Sequence, residues 1–404
     1  MKVFMEGSHA VAEAVKRIKP GVVCAYPITP QTHIVERLAE MVADGDLAAE
    51  FINVESEHSA ASVVLGSTAT GVRSFTATSS QGLILMSEVL FNIAGMRLPV
   101  VLTCVNRALS APINIWNDHQ DSMTVRDAGW MQLYAENNQE CHDLHYIAYK
   151  LAENKDIMLP CMVCMDGYIL SHGYETLELV EQDKVDKFLP AYDAAYKLDT
   201  ENPLTMGLLG APDVYMETRY AIHKTMEEVL ALLPEVEKEF EQIVGRKVPL
   251  LIEKYKTDDA EKVLVAMGSV AGTIKDTVDE LREQGERVGL LRIISFRPFP
   301  KSEIYKALKD IKKIGIIDKA VSLGSSGPLY VEIAALFGEK KAAKSISGFI
   351  AGLGGRDIKK DAVKEMFNLL EQEPKDLKFI DLQKWYEEES PIMVFKDEIK
   401  EQVS

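Results

Sequence analysis

The chain has 404 residues, 47% hydrophobic and 26% charged, with a formal net charge of −17; this composition predicts a large globular core and excludes the disordered class. The acidic balance argues against nucleic acid as a partner, because that affinity comes largely from Lys and Arg neutralising phosphates. No apolar run approaches the roughly 18 residues of a membrane helix, and Met1 to Gly7 carries Glu6 and no signal-like segment, so no membrane contact and a cytoplasmic location are expected.

In chain order, the pattern predicts a helix over residues 9–18, a short apolar strand at 22–25, and a rigid turn bracketed by Pro27 and Pro30. A helix at 34–41, a strand at 51–54 and a helix rich in small residues at 59–69 follow. Strands at 72–77 and 100–105 flank a Met- and Leu-rich helix at 83–93. This regular alternation predicts an α/β fold built on a doubly wound parallel sheet.

Residues 225–241 read as an acidic helical stretch interrupted by Pro234, and 245–257 as a polar linker. Beyond it a smaller α/β unit begins: a strand at 262–269, a helix to about Glu283 and a strand at 288–292. The expected division is residues 1–245, residues 258–360, and a helical carboxy-terminal arm over 361–404 whose polar end, from Lys384 onward, suits packing on a partner subunit. No repeat or low-complexity tract is present, which excludes solenoid and fibrous classes.

Five scattered cysteines, Cys24, Cys104, Cys141, Cys161 and Cys164, do not form a disulfide framework. The Cys161–Cys164 pair lacks the further thiolates an iron–sulfur cluster needs, and its apolar surroundings predict a buried strand in which cysteine acts as a small hydrophobe. His142 and His145 share a helix face at i, i+3, but without a carboxylate pattern they read as core or solvated histidines, so no metal site is expected here.

Three polar segments follow predicted strands. Tyr26-Pro27-Ile28-Thr29-Pro30 presents Thr29 at a strand's carboxyl end, where ligands of open α/β sheets bind, although Pro-x-x-Pro is also an ordinary stiff connection. Glu55-Ser56-Glu57 stands at the start of the small-residue helix, where the helix dipole favours an ionised acid and where a glutamate is often only a cap. Asn106-Arg107-Ala108-Leu109-Ser110 precedes the run Ile115-Trp116-Asn117-Asp118-His119-Gln120-Asp121, and the Arg107 guanidinium there could hold a carboxylate bidentately.

With these segments in order, and with Gly268-Ser269, Ser295-Phe296-Arg297-Pro298-Phe299-Pro300 and Gly352-Leu353-Gly354-Gly355-Arg356-Asp357 after them, the chain resembles the pyruvate and related 2-oxoacid:ferredoxin oxidoreductases over at least residues 20–357. The resemblance implies a thiamine-diphosphate-binding pyrimidine-type domain followed by a transketolase C-terminal-like domain. It implies that Glu57 hydrogen-bonds the aminopyrimidine of thiamine diphosphate, with Glu55 as the competing carboxylate, and that Ile28 and Thr29 lie beside the cofactor. Thr29 would donate to the bound 2-oxoacid, and Arg107 would clamp its carboxylate.

The chain contains no Gly-Asp-Gly segment followed about 25 residues later by Asn-Asn to hold Mg²⁺ and diphosphate; Met165-Asp166-Gly167 is the nearest approach and fails. In multi-subunit members of the family that motif lies on a β subunit, so the resemblance implies a cofactor site completed at an interface. It further implies γ and ferredoxin-like δ subunits, [4Fe–4S] clusters on partner chains, ferredoxin as acceptor and coenzyme A as co-substrate. The implied reaction is oxidative decarboxylation of pyruvate to acetyl-CoA and CO₂, reversible as pyruvate synthesis. The rival substrate is a branched-chain 2-oxoacid such as 2-oxoisovalerate. A non-catalytic scaffold of the same fold would be expected to have lost Thr29, Glu57 or Arg107. A nicotinamide-dependent dehydrogenase would need the dinucleotide glycine fingerprint, which is absent.

Overall fold

The structure is a computed structural model that describes residues 1–340, 345–374 and 376–383. Of the arm expected over 361–404, the part from Lys384 onward lies outside the described residues. Two sheets dominate. The first has seven strands, in the spatial order Ser295–Arg297, Met131–Tyr134, Cys161–Asp166, Val101–Asn106, Ser74–Thr78, Val22–Cys24, Glu50–Ile52. All neighbours are parallel except the first pair.

Because strand side chains alternate between faces, each strand feeds two cores. Val23, Phe75, Ala77, Val101 and Val105 pack on one side with the helices Gly7–Ile18, Thr32–Ala43 and Asn138–Ala152. Cys24, Leu102 and Cys104 pack on the other with Glu57–Ala69 and Ser87–Gly95. Cys161 falls in the first cluster and Cys164 in the second. Three residues apart on one strand, the two thiols face opposite sides of the sheet and cannot share a ligand. All five cysteines are buried and unpaired.

The second sheet has six strands, in the order Lys378–Phe379, Ser345–Ile350, Lys313–Asp318, Lys262–Ala266, Val288–Ile293, Ile252–Tyr255, with only the last pair antiparallel. Its apolar residues Val263, Val265, Ile314 and Ile316 belong to the same cluster as Leu102 and Cys104. The two sheets therefore share a continuous core.

The structure departs from the sequence reading in several places. The expected helix at 83–93 is two, Ser80–Leu85 and Ser87–Gly95, and the expected linker at 245–257 contains the edge strand Ile252–Tyr255. Pro234 does not break its helix, which runs unbroken for 30 residues over Tyr215–Val244. A proline removes one backbone donor there, but Ile222, Val229, Leu233, Val236 and Phe240 recur at helical spacing and are buried in the first core. That stripe, not local propensity, sustains the helix. Lys2–Glu6, unassigned from sequence, pairs antiparallel with Tyr174–Glu178. Among the described residues no helix is long and apolar enough to cross a membrane.

Candidate active site

The parallel strands Val22–Cys24, Glu50–Ile52, Ser74–Thr78 and Val101–Asn106 end on one edge of the first sheet, and the segment after each carries polar side chains. After Glu50–Ile52 the chain turns into a helix capped by Ser56, whose extended backbone lets its Oγ accept from Ser59 N at 3.2 Å. This cap sets Glu57 in the first turn, where the helix dipole favours a negative charge. Glu57 is only 7% exposed, and its carboxylate has no hydrogen-bond or ion-pair partner among the described residues. Glu55 is exposed and accepts from Ser59 Oγ at 2.6 Å, which draws its pKa down.

Facing Glu57 is a segment the sequence reading passed over, Thr78-Ser79-Ser80-Gln81-Gly82. Thr78 Oγ1, Ser79 Oγ and Gln81 Nε2 are buried without a hydrogen-bond partner. A Cβ on Gly82 would stand 2.6 Å from both Glu57 Oε1 and Thr78 Oγ1, so glycine leaves the room that the carboxylate uses. Ser80 takes a left-handed φ of 50°, unusual outside glycine. It is held by its N–H to Asp121 Oδ2 at 3.0 Å and by its hydroxyl to Ala108 O at 2.5 Å. The sequence signal was available: a run of small and hydroxylated residues directly after an apolar strand.

Asp121 links this turn to Arg107. It accepts from Arg107 N at 2.9 Å, Asn106 Nδ2 at 2.8 Å and Ser122 N at 2.7 Å, while burial pushes its carboxyl up. Arg107 is 6% exposed as a residue, and its guanidinium donates from Nη1 to Thr29 O at 2.9 Å and from Nε to Asn114 O at 2.7 Å. Its Nη2 has no partner among the described residues. Burial lowers its pKa, yet an arginine starts so high that it stays charged.

Thr29 is exposed on the turn that Gln31 ties to the sheet through Ala77 O at 2.7 Å, and Ile28 O accepts from Gln31 N at 2.8 Å. Beside Thr29 opens a cavity of about 300 Å³ lined by Pro30, Thr32, His33, Glu36, Tyr168 and His172. The structure thus brings Thr29 and Arg107 into contact, and joins Glu57 to them through the Thr78–Gly82 turn and Asp121.

His142 and His145 are engaged elsewhere. Both are buried; His142 meets Asp143 Oδ1 at 2.8 Å and Tyr146 Oη at 3.0 Å, and His145 meets Cys141 O and Thr103 Oγ1, each at 2.6 Å.

The Asp118–Asp121 run and the second unit meet at Asp166, at the end of its strand. Asp166 receives His119 Nε2 at 2.7 Å, Ser269 Oγ at 2.5 Å and Lys319 Nζ at 2.9 Å, all at the junction of the two sheets. Burial alone would raise its carboxyl; the charges of Lys319 and His119 outweigh this and hold it well below the usual carboxylate range. A second buried network places Arg292 against Glu140 at 2.7 Å, Glu253 at 2.7 Å and Glu136 at 3.2 Å.

Two family descriptions match the chain: "Pyruvate flavodoxin/ferredoxin oxidoreductase, thiamine diP-bdg" over residues 13–238, and "Pyruvate:ferredoxin oxidoreductase core domain II" over residues 260–363. The chain is 52% identical to the pyruvate synthase subunit PorA of Methanocaldococcus jannaschii, over 92% of this chain and 95% of that one. It is 48% identical to the PorA subunit of Thermotoga maritima, over 91% and 93%. It is 44% identical to the ketoisovalerate oxidoreductase subunit VorA of Pyrococcus abyssi, over 90% and 92%. Among solved structures, a 2-oxoglutarate:ferredoxin oxidoreductase from Magnetococcus marinus, determined with 2-oxoglutarate, coenzyme A and succinyl-CoA bound, shares the fold. Its TM-score is 0.66 at 18% identity, covering 92% of this chain and 65% of that longer chain. The chain belongs to the pyruvate:ferredoxin oxidoreductase family of 2-oxoacid oxidoreductases, and within it groups with the PorA subunits of pyruvate synthase.

Proposed function

We propose that this chain supplies the aminopyrimidine side of a thiamine diphosphate site and the carboxylate clamp for pyruvate, in a multi-subunit enzyme that oxidises pyruvate and coenzyme A to acetyl-CoA and CO₂. The observation that carries the reading is Glu57: a buried carboxylate at a helix start, with no partner of its own, across Gly82 from the Thr78 hydroxyl, which is buried and also lacks one. An unpartnered buried carboxylate is costly. An aminopyrimidine, which offers both donors and acceptors, fits that set, with Glu57, Ile28 and Thr29 as the residues that would hold it.

When bound, thiamine diphosphate supplies the carbanion chemistry that decarboxylation of a 2-oxoacid requires. Glu57 would hydrogen-bond the pyrimidine ring through its carboxylate, and the closed, low-dielectric surroundings would strengthen that hydrogen bond. Arg107, oriented by its bonds to Thr29 O and Asn114 O, keeps Nη2 for the substrate carboxylate. Thr29 Oγ1 donates to the 2-oxoacid. Arg107 is oriented by these bonds before substrate arrives, so its part in binding needs little reorganisation.

The remaining parts of the enzyme lie on other chains. A β subunit carries the Mg²⁺ and diphosphate site, consistent with the absence here of a Gly-Asp-Gly segment followed about 25 residues later by Asn-Asn. A γ subunit and a δ subunit with [4Fe–4S] clusters pass single electrons to ferredoxin. The complex works in the cytoplasm and runs in either direction according to the reductant supplied. Pyruvate is preferred because the relatives at 46 to 52% identity are pyruvate synthase subunits, whereas the ketoisovalerate subunit stands at 44%.

The test is methyl-viologen reduction by the complex purified from its native cells, with pyruvate or 2-oxoisovalerate, with and without coenzyme A. Coenzyme-A-dependent reduction favouring pyruvate is expected. A branched-chain preference would change the substrate and keep the mechanism, and no reduction with either 2-oxoacid would overturn the reading.

A further inference from the structure

We infer that Asn114 is a positioning residue for Arg107, and that the Gly352–Gly355 turn of the second unit acts on substrate binding through it. The inference rests on the reading of Arg107 as the carboxylate clamp. Between Arg107 and the helix Gln120–Thr124 the chain has no regular structure, so its conformation depends on where it is anchored. Asn114 is such an anchor. Its backbone carbonyl accepts Arg107 Nε at 2.7 Å, while its side chain donates from Nδ2 to Gly354 O at 3.1 Å and accepts Trp116 N at Oδ1 at 2.8 Å.

The N–H of the same residue is used as well: Gly354 N donates to Asp118 Oδ2 at 3.1 Å. Both backbone groups of Gly354 therefore hold the loop that orients Arg107. The turn is shaped for this contact. Gly354 and Gly355 have φ of 60° and 81°, in the region that favours glycine. A Cβ on Gly354 would stand 2.6 Å from Asn114 Nδ2, and one on Gly355 would collide with Trp116 Cβ.

Asparagine is required for a chemical reason. Position 114 must donate to one backbone carbonyl and accept from one backbone N–H at short reach, which an amide can do; a carboxylate lacks the donor and alanine lacks both. Of the two carbonyls that fix the guanidinium, one lies on the Thr29 turn of the first sheet. The other, Asn114 O, is held in place by the second unit. The second unit thus contributes to substrate affinity without touching substrate.

The test compares native-host complexes carrying Asn114→Ala, Gly354→Ala, Arg107→Ala and the Asn114→Ala/Arg107→Ala pair, measuring viologen reduction against pyruvate concentration. Asn114→Ala is expected to raise the KM for pyruvate about tenfold with kcat within about twofold of the parent. The pair is expected to be no worse than Arg107→Ala alone, because a residue acting through Arg107 has nothing left to position. An unchanged KM in Asn114→Ala, with a raised KM in Arg107→Ala, would overturn the positioning role and leave the clamp standing; so would additive losses in the pair. An unchanged KM in Arg107→Ala would overturn both. Gly354→Ala is expected to follow Asn114→Ala, and should it fail to fold, the Asn114 and Arg107 variants decide the question alone.

Discussion

Gly82 and Glu57 are matched by size: the place a Cβ would take on residue 82 is 2.6 Å from Glu57 Oε1 and equally close to Thr78 Oγ1. Contacts that short are not tolerated, and Glu57 Cγ stands only 2.9 Å from the same place. Gly82→Ala is therefore expected to displace the Glu57 side chain. The expected result is a loss of 2-oxoacid-dependent viologen reduction of about tenfold or more, with circular dichroism and subunit assembly unchanged. Activity within about twofold of the parent would show that the position of Glu57 does not matter.

The two neighbouring carboxylates separate cleanly. Glu57 is buried and without a partner, whereas Glu55 is exposed and engaged by Ser59. Removal of a positioned proton-transfer group costs roughly 10² to 10⁴ in rate. Glu57→Gln is expected to fall in that range and Glu55→Gln to stay within about twofold, in parallel steady-state assays of the assembled complex. The opposite ranking would move the pyrimidine contact to Glu55.

Much of this site was legible before the structure, because strand ends can be read from short apolar runs followed by polar turns; Thr29, Glu57 and Arg107 each stand just beyond one. The Thr78–Gly82 turn was not read, since serine and glycine after a strand also describe any loop, and the pressure of Gly82 on Glu57 exists only in three dimensions. Pro234 misled for a different reason. Its local cost is real, but the buried stripe from Ile222 to Phe240 outweighs it, and burial against a distant core leaves no local mark. The strand Ser295–Arg297 lay inside a motif noticed for its resemblance, yet its pairing with Met131–Tyr134 of the other sheet could not be inferred from either segment alone.

The contact between Asp166 and Lys319 gives a stability prediction. Both are nearly inaccessible to solvent, and the pair spans the two sheets at 2.9 Å. Removing Lys319 leaves the buried Asp166 with only His119 and Ser269 to offset its charge, at a cost of up to about 3 to 5 kcal/mol, whereas removing both members can be nearly neutral. Lys319→Met is expected to lower the urea midpoint strongly, and Lys319→Met with Asp166→Asn to recover much of the loss. Equal destabilisation in the single and double variants would mean that packing, not charge pairing, accounts for the effect.

His145 yields a pH prediction. Its Nδ1–H donates to Cys141 O, which leaves Nε2 to accept from the Thr103 hydroxyl, each at 2.6 Å, so the neutral ring satisfies both neighbours. A second proton would put a charge in the core with no carboxylate to pair it, and burial pulls the pKa down from 6.5 to about 4. The sign follows from proton counting. Between those values the unfolded chain binds a proton that the folded chain refuses, so this group's contribution is complete above about pH 6.5 and is lost as pH falls toward 4. From pH 7 to pH 5 the loss amounts to roughly 2 kcal/mol. Urea unfolding at a series of pH values is expected to show this decline, and His145→Asn, less stable throughout, is expected to show a shallower slope. A parallel slope in the variant would assign the pH dependence to other groups.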